Sequence, residues 1–218
     1  MTNANETGYA GRKMPMDNMI IRVLTRIFDF ILLNILWVVC SIPIVTMGAS
    51  TAALYSVMLK ITKNQDGYII KDYFKAFCEN FRQGTIVWMI LALLGSLIGA
   101  DMAIVSRTSG IVASAAIVLF CITGFFCFVE VLFVFPLIAV FRNSTGNMIK
   151  NAILIPVSRL PYALPVLLLT GMCLILTFLN QTSILAGAAI WSVIGVSVLT
   201  YANSFFIHKV LEPYMEAR

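Results

Sequence analysis

The sequence predicts an all-α membrane protein, a polytopic helix bundle with about six transmembrane helices. Hydrophobic residues make up 60% of the 218 residues and charged residues only 11%, whereas a soluble domain usually carries about 25% charged residues. The apolar residues gather into long runs, several of which reach the roughly 20 residues that a spanning helix needs. Basic residues lie in short patches between these runs, as in cytoplasmic loops that face anionic lipid.

Four apolar runs are long enough to form one spanning helix each. They cover approximately 85–105, 111–140, 161–180 and 184–207. The preceding stretch, 24–61, admits either one helix with an amphipathic tail or two helices that turn near Pro43. At about 1.5 Å per residue, the segments 24–41 and 44–61 would each barely cross a core of ~30 Å. A re-entrant element over 44–61 therefore stays open as an alternative.

The distribution of positive charge favours six helices over five. With two helices before residue 61, both chain ends and the loops 60–84 and 141–160 share one side. Of the 15 Lys and Arg residues, only Arg107 then falls on the other side. With a single helix there, one basic cluster would lie outside the cell, against the positive-inside rule. We therefore predict that both termini are cytoplasmic.

The chain divides into three predicted parts. Residues 1–15 form a flexible cytoplasmic tail, 16–210 a single transmembrane helical domain, and 211–218 a cytoplasmic C-terminal tail. Motifs for metal, nucleophilic or phosphate chemistry, such as H-E-x-x-H and G-x-S-x-G, do not occur. The five cysteines show no C-x-x-C spacing. We expect no enzyme activity, no cofactor, no metal, no nucleic-acid partner and no small-molecule ligand, with the lipid bilayer as the main surrounding partner.

The most informative intramembrane residue is Glu130, in FCFVEVLFVFPL. An ionised carboxylate at mid-membrane costs ~3 kcal/mol on insertion scales, so it should face protein or water. It could serve as a proton or cation site, or as a neutral, hydrogen-bonded packing residue. No Lys or Arg lies in the middle of another predicted helix to pair with it, which favours the packing interpretation.

Two pairs of small residues predict faces where helices approach closely. Gly95 and Gly99 form a G-x-x-x-G step in the third helix, and Gly48 and Ala52 form a similar step in the second. Such spacing lets two helix backbones come together. We expect packing within the chain, with assembly onto another membrane protein as the alternative.

The segment KDYFKAFCENFRQG predicts a short amphipathic cytoplasmic helix between helices two and three. Its aromatic residues follow helical spacing and form one apolar stripe, with charged residues opposite. Such a helix either lies in the lipid interface or enters a groove on a cytoplasmic partner. The candidate docking residues are Tyr73, Phe74, Phe77, Asn80, Phe81 and Arg82.

Three stretches, LWVVCSIPIVTMGASTAALYSVMLK, YFKAFCENFRQGTIVWMI and FPLIAVF, resemble the YesL family. This family comprises small bacterial integral membrane proteins with a domain of unknown function. The resemblance covers about 16–208. Its most specific part is 42–54, followed by the F-x-x-N-F-x-Q pattern that begins at Phe77. Around Cys78 and Glu79 the family is expected to be more basic than this chain.

The resemblance implies a Gram-positive bacterium and an association with carbohydrate uptake operons, and it supplies no catalytic residues. Together with the residues above it suggests an accessory or regulatory subunit of a carbohydrate ABC importer in the bacterial cytoplasmic membrane. Such a subunit would contact the permease through its membrane helices and the permease or ATPase through the aromatic helix. The alternative is a small stand-alone transporter or channel that uses Glu130.

Overall fold

The computed structural model describes residues 19–65, 67–108 and 110–216, and the regular elements in these ranges are all helical. In chain order they are α1 Met19–Ser41, a 3-10 turn Ile44–Thr46, α2 Met47–Thr62, α3 Ile69–Val105, α4 Ile111–Val140, α5 Thr145–Ser158, α6 Leu160–Phe178, α7 Gln181–Ile190, a π-helical turn Trp191–Gly195 and α8 Val196–Glu216. Six helical stretches of this described part are long and apolar enough to cross a membrane. The all-α, polytopic prediction is confirmed.

The structure can be compared with the predicted division into two tails and one helical domain. The predicted tail at 1–15 lies outside the described residues. At the other end, α8 continues as a helix through the predicted boundary at residue 210. Leu211 is buried in the main core, so the first residues of the expected C-terminal tail belong to the helical domain.

The short helix α2 is the centre of the fold. Eleven of its 16 residues are buried, including Gly48, Ala49, Ala52 and Ala53. Small side chains in a row allow neighbouring helices to approach its backbone closely. The turn before α2 is fixed by the Thr46 hydroxyl, which donates to the carbonyl oxygens of Cys40 at 2.6 Å or Pro43 at 2.8 Å.

The helix α3 is continuous over 37 residues, a length of about 55 Å. The predicted amphipathic segment is helical, but it is the first part of α3 and not a separate short helix. No proline or glycine interrupts the chain between Ile69 and Gly84, and Lys, Ala, Glu and Gln in this segment are good helix formers. Asp72 in the first turn also suits a helix N-terminus.

The helix α2 packs antiparallel to the first part of α3. Gly48 lies against Gly84 at one end of this contact, and the Lys60 ammonium pairs with the Asp72 carboxylate at 3.3 Å at the other. Buried residues in α3 do not extend beyond Leu91. Residues 47–62 and 69–84 therefore lie side by side along their length.

The segment 44–62 is itself long and apolar enough to cross a membrane. It packs beside the stretch that the sequence predicts as a cytoplasmic helix, so the first part of α3 lies alongside a candidate span. Helix α3 is longer than the ~30 Å hydrocarbon core, so part of it must leave the core.

The first and last long helices are joined by Asn34. Its side-chain amide donates to the carbonyl oxygens of Trp191 at 3.0 Å and Ser192 at 2.8 Å. The backbone N–H of Ser197 donates to its Oδ1 at 3.1 Å. A π-helical turn leaves backbone groups without the usual helical partner, and Asn34 supplies those partners from α1.

The second half of α3 and the first half of α4 form an apolar hairpin, residues 92–128. None of its described residues is buried. Its only charged residues are Asp101 and Arg107, near the turn. The rest of the fold, the packed end, holds two hydrophobic clusters built mainly from α2, the first part of α3, the second part of α4, α6 and α8.

Candidate functional site

The close helix contact predicted at Gly48 and Ala52 lies inside the packed end. A Cβ atom on Gly48 would meet the Gly84 carbonyl oxygen and the side chains of Trp88 and Phe135. Conversely, a Cβ on Gly84 would lie 2.8 Å from the Ala49 Cα. This crossing belongs to the fold and is not available to a partner.

Gly84 was not among the residues predicted from the sequence. A single glycine without a second small residue four positions away gives no G-x-x-x-G signal. Its position in a helix of otherwise good helix formers is the only hint, because an isolated helical glycine costs about 1 kcal/mol relative to alanine and usually has a packing reason.

The pair Gly95 and Gly99 does not pack within the chain, contrary to expectation. A Cβ on either residue would have no heavy atom of another element within 4 Å. Ala92, Ser96 and Ala103 are exposed on neighbouring turns of the same helix. The result is a face of small side chains on the apolar hairpin that no described part of the chain covers.

The aromatic stripe of α3 is divided between two environments. Tyr73 is fully buried, and its hydroxyl lies 2.7 Å from the Ser50 hydroxyl. It therefore cannot act as a docking residue, because its ring packs against α2. Phe74 and Phe81 are each 44% exposed, and Phe77 packs edge-on to Phe81 with the ring centroids 5.5 Å apart.

The polar members of the predicted docking set lie beside these exposed aromatic rings. The Asn80 side chain donates to the Ala76 carbonyl oxygen at 2.9 Å, a contact within its own helix. Arg82 is exposed. Nearby, Glu79 forms an ion pair at 3.3 Å with Arg142, which follows α4. Phe74, Phe77 and Phe81 thus form the aromatic face of α3, in which Phe77 is only partly exposed because it also packs against the core.

Glu130 lies on α4 with only 7% of its surface exposed. Its sequence neighbour Val129, and Phe133 one turn later, belong to the main hydrophobic cluster. In the described part of the chain, no hydrogen bond or ion pair involves its carboxyl group. Burial of an ionised carboxylate is costly without such a partner.

Several buried polar side chains were missed by the sequence analysis. Besides Asn34, these include Asn203, whose amide donates to the Thr170 hydroxyl at 3.0 Å. The Tyr55 hydroxyl lies close to the Asn203 side chain. This bond joins α6 and α8 inside the packed end, and Tyr55 of α2 lies beside it. A polar residue in an apolar run is the signal that could have identified them, since such groups hydrogen-bond between membrane helices.

The described residues contain no group of three or more His, Cys, Asp and Glu side chains that could hold a metal ion. Each of the five cysteines is a free thiol. The polar groups that do converge are amides and hydroxyls, which hold helices together. The accessible features are surfaces: the small-residue face of the apolar hairpin and the aromatic face of α3.

Comparison with known proteins gives two matches. The model of a family described as "Protein of unknown function, DUF624" matches residues 30–102. The chain is also similar to "Uncharacterized protein YteU" of Bacillus subtilis (strain 168), with 28% identity over 192 residues that cover 85% of this chain and 82% of that protein. No solved structure matches. The family segment contains the α2–α3 crossing, the aromatic face and the Gly95–Gly99 pair, whereas Glu130 lies outside it.

Both matches agree with the expected resemblance to a bacterial protein family of unknown function. Neither bears on the YesL name or on carbohydrate uptake. Six apolar helical stretches in the described part of the chain make this a multi-pass membrane protein whose outer surface contacts lipid.

Proposed function

We propose that this protein is a non-enzymatic accessory subunit that binds a larger membrane protein through its apolar hairpin. The observation that carries this proposal is the contrast along α3. Its first part is covered by α2, whereas from residue 92 onward none of its residues is buried by the described part of the chain. The uncovered side presents Gly95 and Gly99 with open space above them.

A small-residue face favours a helix over lipid as its neighbour. Lipid tails are as apolar as leucine side chains, so hydrophobicity alone does not bring membrane helices together. Membrane helices associate instead where small residues let their backbones approach closely. The Gly95–Gly99 face offers this geometry, and the chain itself leaves it unused.

The aromatic face of α3 supports a second contact with the same partner. Phe81 and Gly95 lie on one continuous helix, about 20 Å apart along its axis. A partner that has transmembrane helices and also loops outside the membrane could engage both faces at once. The permease of an ABC importer, with its ATPase, has this architecture.

We further propose that the partner transports carbohydrate and resides in the bacterial cytoplasmic membrane. This step rests on the resemblance to the YesL family and its association with carbohydrate uptake operons. The relative from Bacillus subtilis is itself described as uncharacterised, so it adds no activity.

Affinity purification from the native membrane in mild detergent, followed by mass spectrometry, tests the proposal. We expect permease and ATPase subunits to accompany the wild-type protein. The G95L/G99L variant should reduce their recovery by about tenfold, since bulky side chains prevent close helix approach. G124L is the matched control, because Gly124 also faces open space on the other helix of the hairpin.

Two results would contradict this proposal. One is purification of the wild-type protein without any membrane partner after chemical crosslinking in intact cells. The other is equal partner recovery with G95L/G99L and G124L, provided that all variants are present in the membrane at equal amounts.

A second candidate function is a small stand-alone transporter that uses Glu130. The observation that favours it is the burial of this carboxyl group without a partner in the described part of the chain. Purified protein in liposomes would then carry a proton- or cation-dependent flux that E130Q abolishes. The matched control is D101N on the exposed part of the hairpin. A flux that E130Q leaves unchanged, or no flux, would reject this function.

A further inference from the structure

Two adjoining clefts lie where the C-terminal end of α2 meets α8. Each has a volume of about 170 Å³, and Lys63 and His208 line both. The first cleft also contains Ser56, Lys60 and Gln65. The second also contains Thr62, Phe205 and Lys209.

Positive charge in these clefts is only partly neutralised. Lys60 pairs with Asp72 at 3.3 Å. Among the described residues, Lys63 and Lys209 have no carboxylate within ion-pair distance. The Lys63 ammonium instead lies 3.9 Å from the Met215 sulfur, and the Lys209 ammonium lies 5.8 Å from the centre of the Tyr162 ring. Neither contact removes the charge.

Acidic residues near the clefts do not reverse this balance. Glu212 follows His208 by one helical turn on α8 and is exposed. Together with Asp72 it gives two negative charges against the three lysines that line the clefts. The clefts thus combine an excess of positive charge with a hydroxyl group on Ser56.

An apolar surface continues from the second cleft along α8. Phe205 lines the cleft and is 46% exposed, and Val198, about two turns earlier, is 43% exposed. A basic pocket at the end of a membrane helix, next to an exposed apolar helix face, matches the two parts of a phospholipid. The phosphate would meet the lysines and an acyl chain would lie along the apolar face.

We propose that these clefts bind the phosphate group of an anionic phospholipid. Lys63 and Lys209 supply the charge, and Phe205 contacts the acyl chain. All three residues lie towards the end of the bundle that holds most of the basic residues, which the charge distribution assigns to the cytoplasmic leaflet. This site is independent of the Gly95–Gly99 face and of any partner that binds there.

Native mass spectrometry of the full-length protein with added lipids provides the test. Wild-type protein should retain phosphatidylglycerol in preference to phosphatidylcholine. The K63Q/K209Q variant should weaken phosphatidylglycerol binding by about 25-fold, from the typical effect of two cations near an anionic surface. The matched control is K75Q/K150Q, which removes two exposed lysines from α3 and α5 and should bind like wild type. K63R/K209R should also retain binding, because it keeps the charge.

A soluble headgroup distinguishes a lipid from free phosphate. Glycerol phosphate in excess should not displace the bound lipid, and F205S should weaken lipid binding because it removes the acyl-chain contact. Complete displacement by glycerol phosphate, with no effect of F205S, would show a phosphate site and overturn the lipid assignment. Equal loss of lipid with K63Q/K209Q and K75Q/K150Q would show that binding follows net charge and not this cleft.

Discussion

Where α4 passes from the apolar hairpin into the packed end, its neighbours change although it stays apolar. The two regions share the helices α3 and α4. In α4, residues 129–138 are buried apart from one, whereas no described residue in 111–128 is, although both parts are apolar. Lipid and protein are equally suitable surroundings for an apolar side chain. Burial in this fold therefore follows close backbone contact and hydrogen bonds, and hydrophobicity does not predict it.

The helix α2 also shows that burial does not follow hydrophobicity. Of the six candidate membrane spans in the described part of the chain, it has the lowest mean hydropathy and the largest buried share. Its glycine and two serines reduce the mean hydropathy, and together with the alanines they allow close packing. The following predictions test how sharply the two regions differ.

Labelling of single cysteines should give the largest difference. Cys78 on the first part of α3 and Cys121 in the hairpin are both exposed on the protein surface. A thiol must ionise to react with a maleimide, and hydrocarbon prevents ionisation. In membranes opened to the reagent, Cys78 should react and Cys121 should not, each tested in a variant whose other cysteines are serine.

Denaturation in SDS is the control for this experiment, since both thiols should then react. Labelling of Cys121 at the rate of Cys78 in the intact membrane would place the hairpin in water. Protection of Cys78 would place the first part of α3, together with α2, inside the membrane.

Substitution N34L should cause the largest loss of stability. It removes two hydrogen bonds to carbonyl groups of the π-helical turn and one from the first turn of α8, and it leaves those carbonyl groups unpaired. The expected cost is ~3 kcal/mol, measured as a lower thermal unfolding temperature in detergent. The control N147L changes an exposed asparagine and should have little effect. Equal unfolding temperatures for the two variants would show that the Asn34 hydrogen bonds do not stabilise the fold.

Substitution G84A should be the next most damaging. The new Cβ would lie 2.8 Å from the Ala49 Cα, so α2 and α3 must separate, at a cost of ~2 kcal/mol. The same change at Gly95 meets open space and should stabilise the helix by ~0.5 kcal/mol. If G84A and G95A shift the unfolding temperature in the same direction, the described crossing is wrong.

Substitution Y73F should have the smallest effect of the set. It deletes the hydroxyl that bonds Ser50 and should cost ~1 kcal/mol. The matched control is Y68F, because Tyr68 is 80% exposed. No difference between the two variants in thermal unfolding would indicate that the Tyr73–Ser50 bond contributes nothing to stability.

The class of the protein and most helix positions could be predicted from the sequence. Long apolar runs and the positions of the lysines and arginines carry that information directly. The continuity of α3 could not be seen in this way, because a fall in hydropathy at Lys71 and Lys75 does not mark the end of a helix. The backbone hydrogen bonds of a helix continue in water as well as in lipid.

The candidate site was predictable only in part. The Gly95–Gly99 spacing reveals a flat helix face but does not say whether the neighbour is in the same chain. Tyr73 and Phe74 are adjacent and so point about 100° apart on a helix, enough for one to be buried and the other exposed. Asn34 is visible only as a polar residue in an apolar run, and the sequence does not indicate its partners, because they lie 157 to 163 residues later.

That separation has a consequence for biosynthesis. At typical rates of translation, roughly 10–30 s pass between the synthesis of Asn34 and that of Trp191. During this interval the side-chain amide of Asn34, which is buried in the complete fold, has no native hydrogen-bond partner. It must therefore be solvated by water, lie in the translocon or bond temporarily to another group. In a chain truncated before the last helix, the Asn34 amide would stay unpaired. Membrane quality-control proteases could then recognise this unpaired amide and distinguish incomplete from complete chains.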